Sequence, residues 1–150
     1  MHINPYEARH ASAVARVHRK SIRQIASEDY SDEEIQAWSS DTSKDPELPE
    51  DKHRFVAMQN EAVVGFADYT DDNEITALYV RPRFTRKGIG SQLLSKIEED
   101  ARKRGLNYLK ATITVTAKPF YEHHEYAVLH ETTYQIGDRD LKVYKVLKQL

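Results

Sequence analysis

Residues 74–94 read EITALYVRPRFTRKGIGSQLL and contain the strongest local signals of the chain. The first third of this stretch is rich in β-branched and aromatic residues, which predicts a strand from Glu74 to Val80. Gly88 and Gly90 follow, and from Gly90 onwards apolar residues recur at helical spacing. The sequence therefore predicts a strand, a tight turn and an amphipathic helix in direct succession.

The turn between this strand and helix has the composition of an anion-binding site. Gly88 and Gly90 lack Cβ atoms, so the backbone can turn tightly and present successive N–H groups. The helix N-terminus adds about 0.3–1 kcal/mol per favourable charge. The P-loop motif is absent, and Leu93 stands where the third glycine of a dinucleotide-binding fingerprint belongs. A phosphate cradle fits best, although two glycines alone more often only shape such a connection.

The segments around this stretch predict one α/β domain, or α+β by stricter naming, spanning residues 1–150. Strands at 54–59, 62–69 and 74–80 are separated by turn sequences and predict an antiparallel meander. Ile3 begins a short strand, a helix covers 10–27, a capped short helix follows Ser31, and 39–52 is an exposed loop.

The second half of the chain continues the alternation of helices and strands. The helix from Gly90 ends at Gly105, which suits a left-handed cap. A strand at 108–115, a short helix at 118–124 and strands at 128–134 and 141–147 follow, with Gly137-Asp138 turning the last hairpin. The inventory predicts a mixed central sheet of about six to seven strands with about four helices on both faces.

The composition excludes several classes of protein. No apolar run reaches about 20 residues and the first residues lack a signal peptide, so we expect a cytoplasmic protein without a membrane partner. The absence of cysteine removes thiolate metal sites and a cysteine acyl-enzyme, which favours direct group transfer. A net charge of −2 with interspersed signs argues against a nucleic-acid partner.

Two segments carry a resemblance to a known family. Leu78-Tyr79-Val80-Arg81-Pro82 followed by Thr85-Arg86-Lys87-Gly88-Ile89-Gly90-Ser91 resembles motif A of the GNAT superfamily of N-acetyltransferases, whose signature is Gln/Arg-x-x-Gly-x-Gly/Ala. Further on, Thr116-Ala117-Lys118-Pro119-Phe120-Tyr121-Glu122 resembles the segment that follows the fifth strand of the family, and Tyr30-Ser31 with Trp38 resembles a largely uncharacterised bacterial-type branch.

The resemblance implies acetyl-CoA as co-substrate and a primary amine as acceptor. It places the coenzyme A pyrophosphate on the turn and the pantetheine arm along the strand before it, with the acetyl group between splayed strands four and five. The implied cofactor-binding residues are Leu78, Tyr79, Val80, Thr85, Arg86, Lys87, Gly88, Ile89, Gly90, Ser91, Thr114 and Phe120.

Two catalytic residues are implied by the same matching. Tyr121 takes the place of the general acid that protonates the departing thiolate, as a phenol can; otherwise it is a core tyrosine. Glu74 matches the glutamate base of some histone-acetylating members, and an ordinary exposed glutamate is at least as good an interpretation. Tyr30 and Trp38 are candidate acceptor-binding residues, and Trp38 offers a cation–π surface, although simple packing explains it too.

Three positions depart from the family pattern. Thr85 replaces the Gln or Arg of the signature, Thr114 stands where many members have asparagine, and Glu125 occupies a usual glycine position, where it would need a left-handed backbone. His123-His124 lacks metal-ligand spacing and reads as a solvated helix end, so no metal is expected. His10 and His18, eight residues apart on roughly one face of the first helix, are either surface or packing histidines, which is the preferred interpretation, or residues that approach a substrate pocket.

Alternatives to an acetyltransferase remain at this point. The departures at Thr85, Thr114 and Glu125 motivate a non-catalytic acyl-CoA sensor or partner-docking module with the same fold. A remoter alternative is a nucleic-acid-associated protein that uses the basic residues of 81–87 and 102–104. For an acetyltransferase, we expect the acceptor amine to belong to a small molecule or a peptide. The sequence leaves open whether the protein forms a homodimer.

Overall fold

A seven-stranded mixed sheet forms the centre of the protein. The computed structural model describes residues 1–25, 31, 33, 47–84, 88–136 and 139–150. The strands are β1 (His2–Pro5), β2 (Lys52–Gln59), β3 (Ala62–Thr70), β4 (Glu74–Val80), β5 (Tyr108–Thr114), β6 (Ala127–Ile136) and β7 (Arg139–Gln149). Their order is β1-β2-β3-β4-β5-β7-β6. Only β4 and β5 run parallel, so the predicted mixed sheet and the β2–β3–β4 meander are confirmed.

Three α-helices lie within the described residues: α1 (Ala11–Ile25), α2 (Ile89–Lys103) and α3 (Lys118–His123). This number is lower than the four expected, because the helix predicted after Ser31 falls largely outside the described residues. The turn predicted at Gly137-Asp138 also lies outside them, but β6 and β7 pair on both sides of it up to Ile136 and Arg139. No described helix is long and apolar enough to cross a membrane.

The helices pack on both faces of the sheet. On one face, Val14 and Val17 of α1 are buried against Val56, Val63 and Phe66. On the other, the apolar face of α2 is almost wholly buried, at 0–1% exposure for Leu93, Leu94, Ile97 and Ala101. Each such leucine or isoleucine stabilises the fold by about 1.5–3 kcal/mol relative to an exposed side chain. The apolar residues that recur at helical spacing in the sequence are therefore the ones that α2 buries in the core.

Backbone geometry ends two of the helices in the same way. After α2, Gly105 has φ 85°, its N–H donates to the carbonyl of Arg102, and the N–H of Leu106 donates to that of Ala101. This is the Schellman pattern that favours glycine. After α3, Glu125 takes the glycine position with φ 72°. The left-handed turn expected at Glu125 is thus confirmed.

Buried Glu98 on α2 joins the last strand to the rest of the core. Its carboxylate accepts a hydrogen bond from the Tyr126 hydroxyl at 2.7 Å and from Nζ of Lys148 at 3.1 Å. Glu98 is 7% exposed, so the Lys148 ammonium compensates a charge that would otherwise be costly to bury. The contact fastens β7 and the residues after α3 onto α2.

Candidate active site

The two parallel strands separate soon after they pair. Within the described lengths of β4 and β5, only two ladder pairs form, Glu74 with Lys110 and Ile75 with Ala111. On its other side, β5 pairs with β7 along its whole length, from Tyr108 to Thr114. The carboxyl-terminal part of β4 therefore has β3 on one side and an opening on the other.

A β-bulge on β4 bends this strand where the opening begins. Ile75 lies opposite Tyr69 and Ala77 opposite Asp68, which leaves Thr76 as an extra residue in β4. A bulge of this kind increases the local twist and bends the strand that carries it. The extra residue explains why β4 diverges from β5 directly after Ile75.

A buried ion pair supports the bulge from the neighbouring strands. The Thr76 hydroxyl donates a hydrogen bond to the Asp68 carboxylate, and Nε of Arg54 donates to the same carboxylate at 2.7 Å. Asp68 is 1% exposed, and the Arg54 guanidinium lies over the rings of Tyr6 and Phe66 at 4.9 and 5.3 Å. This burial has no local signal in the sequence, because the contacts join residues on three different strands.

The opening between the two strands contains a cavity of about 470 Å³. This β4–β5 cleft is within the roughly 300–1,000 Å³ range of small-molecule sites. Its walls come from α1, β4, β5, α3, β6 and β7. The lining residues are His18, Glu74, Ile75, Thr76, Ala77, Leu78, Tyr79, Ala111, Thr112, Ile113, Thr114, Ala117, Tyr121, Tyr134, Leu141, Val143 and Lys145.

Tyr121 lies on the wall of the cleft as a buried, protonated phenol. It is 5% exposed, and among the described residues its hydroxyl has no hydrogen-bond partner. Burial raises the pKa of Tyr121 well above its usual range, with smaller contributions from Tyr79, Asp68 and Glu98. The hydroxyl therefore carries its proton at neutral pH.

Neighbouring rings hold Tyr121 in place. Phe120 and Tyr126 each meet it edge to face, at centroid distances of 5.4 and 5.3 Å. The Thr114 hydroxyl accepts a hydrogen bond from the N–H of Ala117 at 3.1 Å, which ties the end of β5 to the start of α3. The position of Tyr121 thus follows from the core packing and from the turn that precedes its helix.

Glu74 lies at the end of the cleft where β4 and β5 are still paired. It is half-buried and lines the same cavity as Tyr121. Leu78 and Tyr79 line the cavity further along β4, and Val80, the next residue, is buried. The Val80 carbonyl accepts a hydrogen bond from the Ser21 hydroxyl at 2.8 Å, a contact between α1 and β4 that the sequence did not indicate.

The predicted turn leads into the N-terminus of α2, as the sequence indicated. Gly88 has φ 80° and precedes the first helical residue, and its carbonyl accepts the N–H of Gln92 at 3.0 Å. The N–H groups of Ile89, Gly90 and Ser91 belong to the first turn, where helices leave donors without intrahelical partners. Thr85, Arg86 and Lys87 lie outside the described residues, as do Tyr30 and Trp38.

His124 differs from the solvated position predicted for it. Its Nε2 lies 2.9 Å from the Ser91 hydroxyl, and its ring packs on Phe120 at 4.7 Å. Burial, together with neighbouring His123, lowers the pKa of His124 below its usual range. The prediction was wrong for His124 because the end of α3 folds back onto the start of α2, a long-range contact without a local signal. His123 is exposed, as predicted.

His10 and His18 lie at different sites. His18 packs against the Tyr79 ring at 4.7 Å and lines the cleft. His10 precedes α1 and is 6% exposed. His18 thus borders the candidate pocket as well as packing against Tyr79, whereas His10 is a buried packing histidine that does not line the cleft. The two histidines do not converge on one pocket. Within the described part of the chain, no group of three His, Asp or Glu side chains could hold a metal ion.

Comparison with known proteins gives the same family at the level of sequence and fold. The family model described as an acetyltransferase (GNAT) domain matches residues 26–143. The chain is 29% identical over 113 residues to the uncharacterized N-acetyltransferase YafP of Escherichia coli (strain K12), covering 75% of this chain and 71% of the relative.

Solved structures share the fold over the full length. A GCN5-related N-acetyltransferase structure from Rhodopseudomonas palustris, described as an aminotransferase, class II, superposes with a TM-score of 0.93 at 27% identity, covering 99% of this chain and 95% of that one. The PaiA N-acetyltransferase of Thermoplasma acidophilum, solved in complex with coenzyme A, shares the fold with a TM-score of 0.81 at 23% identity over 100% of both chains. The chain belongs to the GNAT acetyltransferase family.

Proposed function

We propose that this protein transfers an acetyl group from acetyl-CoA to a primary amine of a small molecule or peptide, by direct attack within a ternary complex. The observation that carries the proposal is the cleft between β4 and β5, with Tyr121 on its wall and the glycine turn after β4. Membership of the GNAT family supports the same reaction class.

The described part of the turn fits a diphosphate. Gly88 has a positive φ, which favours a residue without a Cβ, and no described atom lies within 4 Å of where a Cβ would be. The first amides of α2 and the positive end of its dipole favour an anion there. We assign the pyrophosphate to the backbone of residues 86–91, with Arg86 and Lys87 supplying charge in place of the side chain that Thr85 lacks.

The pantetheine arm is assigned to the free side of β4. Because β5 diverges after Ile75, backbone groups of Leu78 to Val80 are available on that side for an extended ligand, although the Val80 carbonyl already accepts from Ser21. Phe120 lies between the turn and Tyr121, and Thr114 lines the opposite wall. The acetyl group would then lie inside the cleft, beside the phenol.

The proposed chemistry is a direct acyl transfer. The lone pair of the amine attacks the carbonyl carbon of the thioester, so that a C–N bond forms and the C–S bond breaks. The departing sulfur takes the proton of the Tyr121 hydroxyl, and the surplus proton of the amine leaves to a base and returns to the phenolate through solvent. A protonated phenol with no competing hydrogen bond among the described residues suits the role of acid.

The amine must lose a proton before it can attack. A lysine-like amine with a pKa of about 10.4 is mostly protonated at neutral pH, and freeing its lone pair costs about 4–5 kcal/mol. We propose Glu74 as the base, directly or through a chain of water, because it is half-buried in the same cavity as Tyr121. General-base help of about 10²- to 10⁴-fold would offset much of that cost.

We assign acceptor recognition to the side of the cleft that α1 forms and to residues that follow α1 in the sequence. His18 on α1 lines this side, and Tyr30 and Trp38 follow α1 in the sequence. Acidic residues concentrated between 28 and 41 would attract a cationic amine by electrostatic steering.

A thiol-release screen tests the proposal. Purified protein is incubated with acetyl-CoA and, separately, with polyamines, amino acids, aminoglycosides and peptides, while free CoA thiol is measured over time. At least one amine should give release that saturates with amine concentration and an acetylated product with the expected mass. Stabilisation by acetyl-CoA without release for any amine would instead support the acyl-CoA sensor.

A further inference from the structure

A second pocket lies on the other side of α1 from the cleft. It has a volume of about 380 Å³ and lies between the start of α1, the β2–β3 turn and the residue after β4. We call it the arginine pocket, and its lining residues are Arg9, His10, Ala13, Arg16, Val17, Met58, Glu61, Ala62, Val63 and Arg81.

The arginine pocket is separate from the β4–β5 cleft. Val17 lines the arginine pocket and is 1% exposed, packed in the cluster that contains Phe66 and Tyr79. His18, the next residue, lines the cleft instead. The packing of α1 on the sheet thus forms a wall between the two cavities, and the cavities have no lining residue in common.

Arg81 lines the pocket and carries a charged group whose hydrogen bonding is incomplete. Its Nε is buried and has no hydrogen-bond partner among the described residues, and its guanidinium lies 5.7 Å from the centroid of the Phe84 ring. A buried N–H of a charged group that lacks a partner is costly, and native proteins rarely keep one. The Arg81 backbone N–H, in contrast, donates to the Val64 carbonyl at 2.7 Å, and this hydrogen bond fixes the backbone at Arg81 against β3.

Other lining residues of the pocket supply positive charge and hydrogen-bond donors. Arg16 is exposed and forms no ion pair with a described residue, whereas Arg9 is paired with Glu7. Nδ1 of His10 accepts the backbone N–H of Glu7 at 3.0 Å, which leaves the ring proton of neutral His10 on Nε2 as a donor. Glu61 is the single carboxylate among the lining residues, against three arginines.

We propose that the arginine pocket binds a small oxyanion, the phosphate or carboxylate group of a ligand, held by Arg81 and Arg16. Planar guanidinium groups match both kinds of oxyanion with paired N–H donors. The volume has room for a ligand larger than one ion. The proposal does not depend on acetyl transfer, because it concerns a cavity on the opposite side of α1.

The test uses the whole chain labelled with ¹⁵N, titrated with inorganic phosphate and, separately, with succinate at constant ionic strength. Nε–Hε resonances of arginine report on the guanidinium directly. The Arg81 resonance should shift saturably with at least one probe. Which probe acts distinguishes a phosphate ligand from a carboxylate ligand.

Matched variants separate a built site from general attraction. Arg81→Gln and Arg16→Gln should each weaken binding about tenfold or more, as expected for a lost hydrogen bond to a charged group. Arg23→Gln removes the same charge from an exposed position on α1 outside the pocket, and it should change the affinity less than twofold. Arg16 is exposed, so its variant keeps the test valid if Arg81→Gln fails to fold.

Three results would overturn the proposal. The first is no saturable shift of the Arg81 resonance with either probe. The second is equal weakening by Arg23→Gln and Arg81→Gln, which would indicate diffuse attraction only. The third is loss of the phosphate response when the protein is saturated with CoA, which would place the phosphate at the turn before α2 instead.

Discussion

The ring of Phe120 lies against Gly90: a Cβ added to Gly90 would come within 3.4 Å of Cε1 of that ring and 3.7 Å of Cδ2 of Leu78. Phe120 also meets Tyr121 edge to face. One aromatic side chain therefore connects the start of α2, where we place the diphosphate, with the phenol that we propose as acid.

The two glycines of the turn should respond differently to alanine. Gly88 has φ 80°, so Gly88→Ala forces a left-handed alanine, which costs about 1–2 kcal/mol. We expect this variant to lose stability and to bind CoA more weakly. Gly90→Ala adds only an ordinary van der Waals contact at 3.4 Å and should keep both properties. Calorimetric titration with CoA and urea denaturation measure the difference, and equal losses in both variants would contradict this view of the turn.

Tyr121→Phe should separate catalysis from folding. The hydroxyl has no hydrogen-bond partner among the described residues, so its removal should leave the free energy of unfolding nearly unchanged. With an identified acceptor, kcat should fall about 10²- to 10⁴-fold while the Kd of CoA stays the same. Thiol release at the wild-type rate would assign the proton transfer to another group.

The buried Arg54–Asp68 pair, which contacts Thr76 of the bulge, should contribute strongly to the free energy of unfolding. Arg54→Met leaves the Asp68 carboxylate buried without its cation, and we expect a loss of about 3–5 kcal/mol. Adding Asp68→Asn removes the uncompensated charge and should recover part of that loss in urea denaturation. As a control, Lys103→Met breaks an exposed pair with Glu99 and should cost about 0.5 kcal/mol or less. Similar losses in Arg54→Met and Lys103→Met would refute the argument.

His124 should make stability depend on pH. Burial lowers its pKa in the folded protein, whereas in the unfolded chain it titrates at about 6.5. Below that pH the unfolded chain binds a proton that the folded protein resists, so stability is present above about pH 6.5 and is lost as the pH falls. His124→Gln should flatten the fall in Tm between about pH 7 and pH 5, and His130→Gln, an exposed control, should not. A slope unaffected by His124→Gln would point to other groups.

Glu125→Gly should stabilise the protein. Glu125 holds φ 72°, which strains a residue with a Cβ by about 1–2 kcal/mol, and the entropy cost of glycine offsets about half. We expect a net gain of about 0.5–1 kcal/mol in urea denaturation. Gly105→Ala at the equivalent position after α2 should show the opposite sign. Loss of stability in Glu125→Gly would mean that its side chain has a role not evident here.

Local signals predicted the elements, and long-range contacts decided the site. β-Branched residues and turn sequences placed β4 at Glu74–Val80, the bounds that the structure has, and Gly105 correctly marked the end of α2. The bulge at Thr76 and the insertion of β7 between β5 and β6 had no such signal. Both depend on pairing between distant residues, which hydrophobic periodicity does not encode.

The candidate site was also predictable where local signals exist and not where it depends on long-range contacts. Gly88 and Gly90 carry their own backbone signature, and Tyr121 was found through the resemblance of its segment. His124 contacts Ser91, which lies 33 positions away in the sequence. Buried Asp68 pairs with Arg54, which lies 14 positions away. Such contacts become visible only when the sheet is assembled.

A crystal structure of the protein grown with CoA is the most direct test of the central claim. We expect the diphosphate within hydrogen-bond distance of the amides at residues 88–91, with the sulfur between β4 and β5 beside Tyr121. CoA bound at any other place, with that turn and cleft empty, would contradict it.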